Sequence, residues 1–189
     1  MERKLRTFIA VTIPDSVREK IAEFQEELKQ HGADVKWVRP ESIHITLKFL
    51  GDVEEERIDE VARAVQRAVE GVKPFPVSVG GAGTFPNDRR PRVLWVGVEE
   101  SAEKLADLAM RIDGELSVLG FERERRKYSG HLTIGRVRSP NRIGPTVEAM
   151  HSVEFEGGVF EAAEVLFVKS DLKPTGAVYT ALKRIKLQG

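Results

Sequence analysis

Two tetrapeptides hold the residues best suited to chemistry, His44-Ile45-Thr46-Leu47 and His131-Leu132-Thr133-Ile134. Each reads His, apolar, Thr, apolar, within a run of strand character. Side chains alternate faces along a strand, so each imidazole shares a face with its threonine hydroxyl while the apolar pair enters the core. Two such presentations supply two titratable nitrogens and two hydroxyls, a set suited to acid–base work on a phosphate ester. Histidine keeps both protonation states accessible near neutral pH, and a β-branched threonine holds its hydroxyl in few rotamers. The chain has four histidines, of which two sit in this pattern. Either alone reads as a hydrogen-bonded strand residue; the pairing points to His44 and His131 as catalytic, with Thr46 and Thr133 donating to phosphate oxygens.

The flanking residues extend the candidate site. Lys48 keeps the parity of His44 and Thr46, so strict alternation places it in the same cleft, where it attracts phosphate. Arg136 is five residues from His131 and three from Thr133, which alternation puts on the other face. It then reaches a phosphate only from the strand end, or forms a surface salt bridge. Tyr128 either stacks a base, as aromatic side chains do with single-stranded RNA, or belongs to the core. From Phe121 to Ile143 seven positive side chains stand against two negative ones, a net of +5, although Lys plus Arg and Asp plus Glu both number 30 over the chain. Such a patch either holds phosphate on a neutral molecule or is solvated loop surface.

Other chemistries find no residues. The chain has no cysteine, which excludes disulfides, thiolate catalysis and cysteine-held metals. The stretch Gly80-Gly81-Ala82-Gly83-Thr84 has no Gly-Lys-Ser/Thr after it, so a turn is expected there and not a phosphate loop. No H-E-x-x-H spacing occurs, and neither a metal nor a cofactor is expected. The apolar run Thr7–Ile13 is too short for a signal core or a membrane span, so a cytoplasmic protein without membrane association is expected. Six Asn and Gln in so charged a chain point to a thermophilic source.

The elements that must position the motifs show a duplication. Phe8–Ile13 reads as a strand, followed by a helix with a Ser16/Glu19 capping box and an apolar face of Val17, Ile21, Phe24 and Leu28. Gly32 ends it, and an extended run Val35–Val38 leads to the first motif. In the same order come a strand Val93–Val98, a helix with Leu105, Leu108, Ile112 and Leu116 inward, Gly120, an extended run and the second motif. The motif histidines and the strand aromatics Phe8 and Trp95 are both 87 residues apart, which argues for two homologous halves. After the first motif, Asp52 and Glu55 are expected to cap a helix with Ile58, Val61, Val65 and Val69 inward, before an edge strand Pro74–Val79. After the second, a helix Ile143–Met150 precedes strands at Val153–Phe155, Ala163–Lys169 and Val178–Leu187. Strands and a few helices joined by short turns predict an α+β fold.

Several stretches together resemble a known family. They are Leu5–Val11, Trp37–Gly51, Arg92–Val98, His131–Arg136, and Lys169–Leu172 with Gly176 and Tyr179. Over nearly its whole length the chain resembles the RNA 2′,3′-cyclic phosphodiesterases, also called 2′-5′ RNA ligases, of the two-histidine phosphoesterase superfamily. One departure is Gly130, where such proteins often carry proline. The resemblance implies one bilobal domain over residues 1–189, with repeats near 5–80 and 92–170 and C-terminal strands completing the sheets. It implies two antiparallel sheets with helices on their outer faces and one motif per lobe at a central cleft. It further implies metal-free hydrolysis of a 2′,3′-cyclic phosphate to the 2′-phosphomonoester, with His44 as proton donor and His131 as the acceptor that activates water. The partner implied is RNA with a cyclic phosphate end, tRNA fragments included, bound by a monomer; the same pair can run 2′-5′ ligation. The residues alone leave the two histidine roles interchangeable. Two other readings stand beside this one: an RNA- or nucleotide-binding module with little turnover, and a dedicated tRNA-half ligase.

Overall fold

The computed structural model describes residues 3–189. In chain order the elements are β1 (Lys4–Thr12), α1 (Asp15–Lys29), β2 (Val35–Trp37), β3 (His44–Glu54), α2 (Ile58–Ala68) and β4 (Phe75–Phe85). They continue with β5 (Val93–Val98), α3 (Ala102–Val118), β6 (His131–Val137), α4 (Ile143–Ser152), β7 (Glu156–Ala162), β8 (Glu164–Lys173) and β9 (Gly176–Lys186). Two antiparallel sheets result, one ordered β3-β1-β8-β9 and the other β2-β6-β5-β4-β7. The fold is α+β, and each sheet carries one of the motif strands.

The two lobes are not the two halves of the sequence. Strands β2 and β4 come from the first half but pair in the sheet of the second motif, while β8 and β9 return to the sheet of the first. Helices cross over as well: α1 packs on β7 and α4, whereas α3 packs on β3 and α2. The apolar faces anticipated for α1 and α3 are buried, with Ile21, Leu28, Leu105, Ile112 and Leu116 fully enclosed. This exchange fuses both lobes into one continuous apolar core, and burial of that size is the main driving term of the fold. A smaller apolar set, Phe8, Ala10, Leu166 and Val168 with Tyr179 against it, sits apart.

Several local expectations are revised. The capping box does not form, because Ser16 lies inside the first turn of α1 and Pro14 occupies the N-cap. Arg18 instead joins that turn to the chain ahead of β3, donating to Asp15 Oδ1 (2.7 Å) and to the Pro40 carbonyl (2.9 Å). Asp52 caps nothing; β3 runs on through it, opposite Arg6. Strand β4 is interior, and Pro76 lies in the part that pairs with β7 alone. The glycine run 80–84 is strand and not turn: Glu99 lies 2.6 Å from where a Gly80 side chain would start, and the Trp95 ring covers Gly83. The strand placed at Val153–Phe155 begins only at Glu156, and the run before β6 is irregular chain.

Candidate active site

Both motif strands carry the same irregularity at the same place. Against β1, Ala10 pairs with Thr46 and Ile9 with Lys48, which leaves Leu47 as an extra residue. Against β5, Trp95 pairs with Thr133 and Leu94 with Gly135, which leaves Ile134 extra. One extra residue inverts the facing of the residues that follow it, in β3 as far as a second extra residue at Leu50. Leu47 and Lys48 are both buried in succession, as are Ile134 and Gly135, and the residues after them emerge again.

That bulge corrects two expectations. Lys48 does not line the cleft. It is 8 % exposed, and its ammonium donates to Asp113 Oδ1 (2.6 Å) on α3 and to the Glu122 carbonyl (2.9 Å). Burial pushes the Asp113 carboxyl up, but Lys48, the Glu124 amide and Arg123 outweigh it and hold the group below its ordinary value. Arg136, which strict alternation turned away, faces the cleft with His131 and Thr133. Its counterpart 87 residues earlier, Phe49, is 66 % exposed on the other wall.

The cleft between the sheets has a volume of about 880 Å³ and is lined by His44, Thr46, His131, Thr133, Arg136 and Tyr179 among others. His44 Nδ1 lies 2.8 Å from the Ser42 carbonyl, and its Nε2 lies 2.9 Å from Thr46 Oγ1. A carbonyl only accepts, so Nδ1 carries a proton and Nε2 is the nitrogen that exchanges one. His131 repeats the device, with Nδ1 3.0 Å from the Ser129 carbonyl, despite Gly130 standing before it. Around these matched cores the shells differ. The Phe8 ring stacks on His44 at 4.6 Å between centroids, and Tyr179 meets it edge-on at 5.1 Å. His131 meets the edge of Phe85 at 5.0 Å. Burial pushes the His44 imidazole below its ordinary pKa; the Ser42 carbonyl opposes this and the charge of His131 adds to it.

Tyr128 takes the core position of the two read for it. Its hydroxyl donates to the Thr46 carbonyl at 2.9 Å, tying the chain before β6 to β3, and burial pushes the phenol up. Of the seven Lys and Arg side chains in the segment 121–143 only Arg136 lines the cleft; Arg123 is bound to Asp113 and Arg125 to Glu122. The other cleft cations are Arg6, Lys36 and Arg39. Phe8, Tyr179, Phe85 and the two serine carbonyls are site features that residue-type reasoning overlooked. The serines share the 87-residue offset, two positions before each histidine, so that signal was present. Among the described residues no group of three or more His, Asp or Glu is placed to hold a metal ion, and no helix is long and apolar enough to cross a membrane.

A duplicated α+β fold that presents one His-x-Thr strand from each lobe to a shared cleft defines the two-histidine phosphoesterase class. Within it, this chain belongs to the LigT-like phosphoesterases, whose family profile matches residues 11–95 and again 96–179. It is 38% identical over 185 residues to the RNA 2′,3′-cyclic phosphodiesterase of Methanothermobacter thermautotrophicus, covering 97% of this chain and 100% of that one. It is 40% identical over 181 residues to the protein of the same name from Archaeoglobus fulgidus, with 95% and 98% covered. Among solved structures, TT0787 of Thermus thermophilus superposes with a TM-score of 0.82 at 28% identity over 97% of this chain and 98% of that one. E. coli LigT complexed with 3′-AMP shares the fold, with a TM-score of 0.79 at 23% identity over 99% and 100%.

Proposed function

We propose that this chain hydrolyses RNA 2′,3′-cyclic phosphate ends to 2′-phosphomonoesters, with His44 and His131 as the acid–base pair. The observation that carries this reading is the matched pair of imidazoles in one cleft, each with its Nδ1 proton fixed by a serine carbonyl. Full-length likeness to relatives named for that activity supports the substrate. In-line displacement at phosphorus needs a base on the entering oxygen and an acid on the departing one. His131 Nε2 takes the proton of the attacking water, the new P–O bond forms, the bond to O3′ breaks, and His44 Nε2–H protonates that oxygen. His44 fits the donor role because its buried, aromatic-flanked ring gives up a proton readily once charged. An anionic phosphate beside it favours the charged form during binding. The Thr46 hydroxyl exchanges its bond with His44 for one to a non-bridging oxygen, the Thr133 hydroxyl donates to another from the other lobe, and Arg136 balances the phosphate charge. A 5′-hydroxyl in place of water gives a 2′-5′ linkage, with hydrolysis favoured in water.

The decisive test incubates the protein, in EDTA, with an oligoribonucleotide ending in a 2′,3′-cyclic phosphate and identifies the product by phosphorus NMR. A 2′-phosphomonoester is expected. A 3′-phosphomonoester would reverse the assigned leaving oxygen. Intact binding without product would instead make the cleft an RNA-binding site.

A further inference from the structure

Cations line the cleft beyond those that the reacting phosphate needs. Among the described residues none of Arg6, Lys36, Arg39 and Arg136 forms an ion pair with a carboxylate, although twelve such pairs occur elsewhere. Two of them are set against each other. Lys36 on β2 stands directly opposite Arg136 on β6, both exposed and on the same face. Like charges directly across a strand pair repel, so this placement works against the pairing of a three-residue strand. An anion seated over both removes that repulsion.

The position of the pair says which anion. On the common partner β5, His131 faces Gly97, Thr133 faces Trp95 and Arg136 faces Val93. The Lys36–Arg136 row therefore lies two residues beyond Thr133 and four beyond His131, about 7 and 13 Å at the usual strand rise. Arg136, with its long side chain, reaches back toward the reacting phosphate; Lys36 lies further out and serves the next group along. The opposite wall holds the exposed ring of Phe49, a surface on which a base can stack.

We propose that Lys36 forms a second phosphate subsite that takes the phosphodiester one nucleotide away from the cyclic end, with Arg136 between it and the reacting phosphate. The preferred substrate is then an oligoribonucleotide over a mononucleoside cyclic phosphate. This rests on the hydrolytic reading above for the identity of the reacting end, and on the Lys36–Arg136 row for the rest.

The test compares a mononucleoside 2′,3′-cyclic phosphate with a dinucleotide bearing the same cyclic end, in the wild type, Lys36→Ala and Lys186→Ala. Lys186 is an exposed residue outside the cleft, so its variant makes the same charge change elsewhere. A charge-assisted contact predicts a wild-type preference for the dinucleotide in kcat/KM of about tenfold, carried mainly by KM. Lys36→Ala brings that ratio close to one, and Lys186→Ala keeps it. No preference in the wild type, or a ratio unchanged by Lys36→Ala, overturns the subsite. If neither compound turns over, the hydrolytic reading fails separately, and calorimetric binding of the 2′-phosphorylated dinucleotide against the nucleoside 2′-phosphate decides. A preference lost in Lys36→Ala then supports the subsite, and equal binding of both overturns it.

Discussion

The two lobes build the same device and surround it differently. In both, a serine carbonyl two residues earlier fixes Nδ1 of the histidine, two apolar residues enter the core, and a bulge follows the threonine. Beyond the bulge the lobes part. The core-facing position is Lys48 in one, bound to Asp113, and Gly135 in the other, where Val35 and Trp37 leave no room for a side chain. The cleft-facing position is Phe49 in one and Arg136 in the other. His44 packs against Phe8 and Tyr179, which also touch each other, with its Nε2 held by Thr46, whereas His131 has a single aromatic ring beside it. Duplication supplies two equivalent nitrogens; divergence of what touches them gives one imidazole packed in aromatic rings, one with a single ring beside it, an aromatic wall and a cationic wall, and the proposed acid and base roles rest on that difference. Separated environments around paired titratable groups are how such roles are assigned.

The hardest test of this comparison removes each imidazole in turn. His44→Ala and His131→Ala are each expected to lower kcat on a cyclic-phosphate oligonucleotide by about 100-fold or more, the ordinary worth of one positioned acid or base. In the proposed mechanism both act in one displacement, so the double variant is expected to be little worse than the poorer single one. A single variant with a near-normal rate would reduce that lobe to scaffold. Next in size is the core-facing position beyond the first bulge. Lys48→Met strands the Asp113 carboxylate on α3, and denaturant unfolding should show a loss of about 3 kcal/mol, the lower end for a broken buried pair. The lower end applies because Arg123 and the Glu124 amide still serve Asp113. Adding Asp113→Leu should restore most of that loss. A cleft role for Lys48 would instead leave stability unchanged and cut turnover.

Lys48 also marks where the sequence stopped being readable. The motifs, their offset and the apolar helix faces are local patterns, and those placed His44, Thr46, His131, Thr133 and the α+β class. The bulges have no such marker. Apolar residues at 45, 47 and 49 continue a flawless alternation past Leu47, which argues for Phe49 in the core and Lys48 in the cleft, the reverse of what forms. The exchange of α1 and α3 between lobes is non-local, so the partner of Lys48 on α3 could not be foreseen from periodicity. Gly83 likewise reads as turn until Trp95, across the β4–β5 ladder, is seen to need the space. The basic run 121–143 predicts the cleft charge by sequence, yet three of its four cations come from β1, β2 and the chain just after β2, which the topology brings together.

The finest distinction between the lobes is visible in how stability follows pH. Burial holds the His44 pKa below its ordinary 6.5 in the folded protein, while the unfolded chain restores that value. Between the two values the unfolded state binds more protons, so the stability derivative with pH is positive there. Folding free energy contributed by neutral His44 is thus complete above about pH 7 and is lost as pH falls through 6.5 toward the folded value. His44→Gln keeps a polar side chain and cannot titrate. Urea unfolding between pH 5 and 7.5 should therefore show a shallower loss toward acid in His44→Gln than in the wild type. An unchanged slope in His44→Gln would mean that burial beside Phe8 and Tyr179 does not hold the His44 ring neutral, and that packing would then give no ground for the donor role.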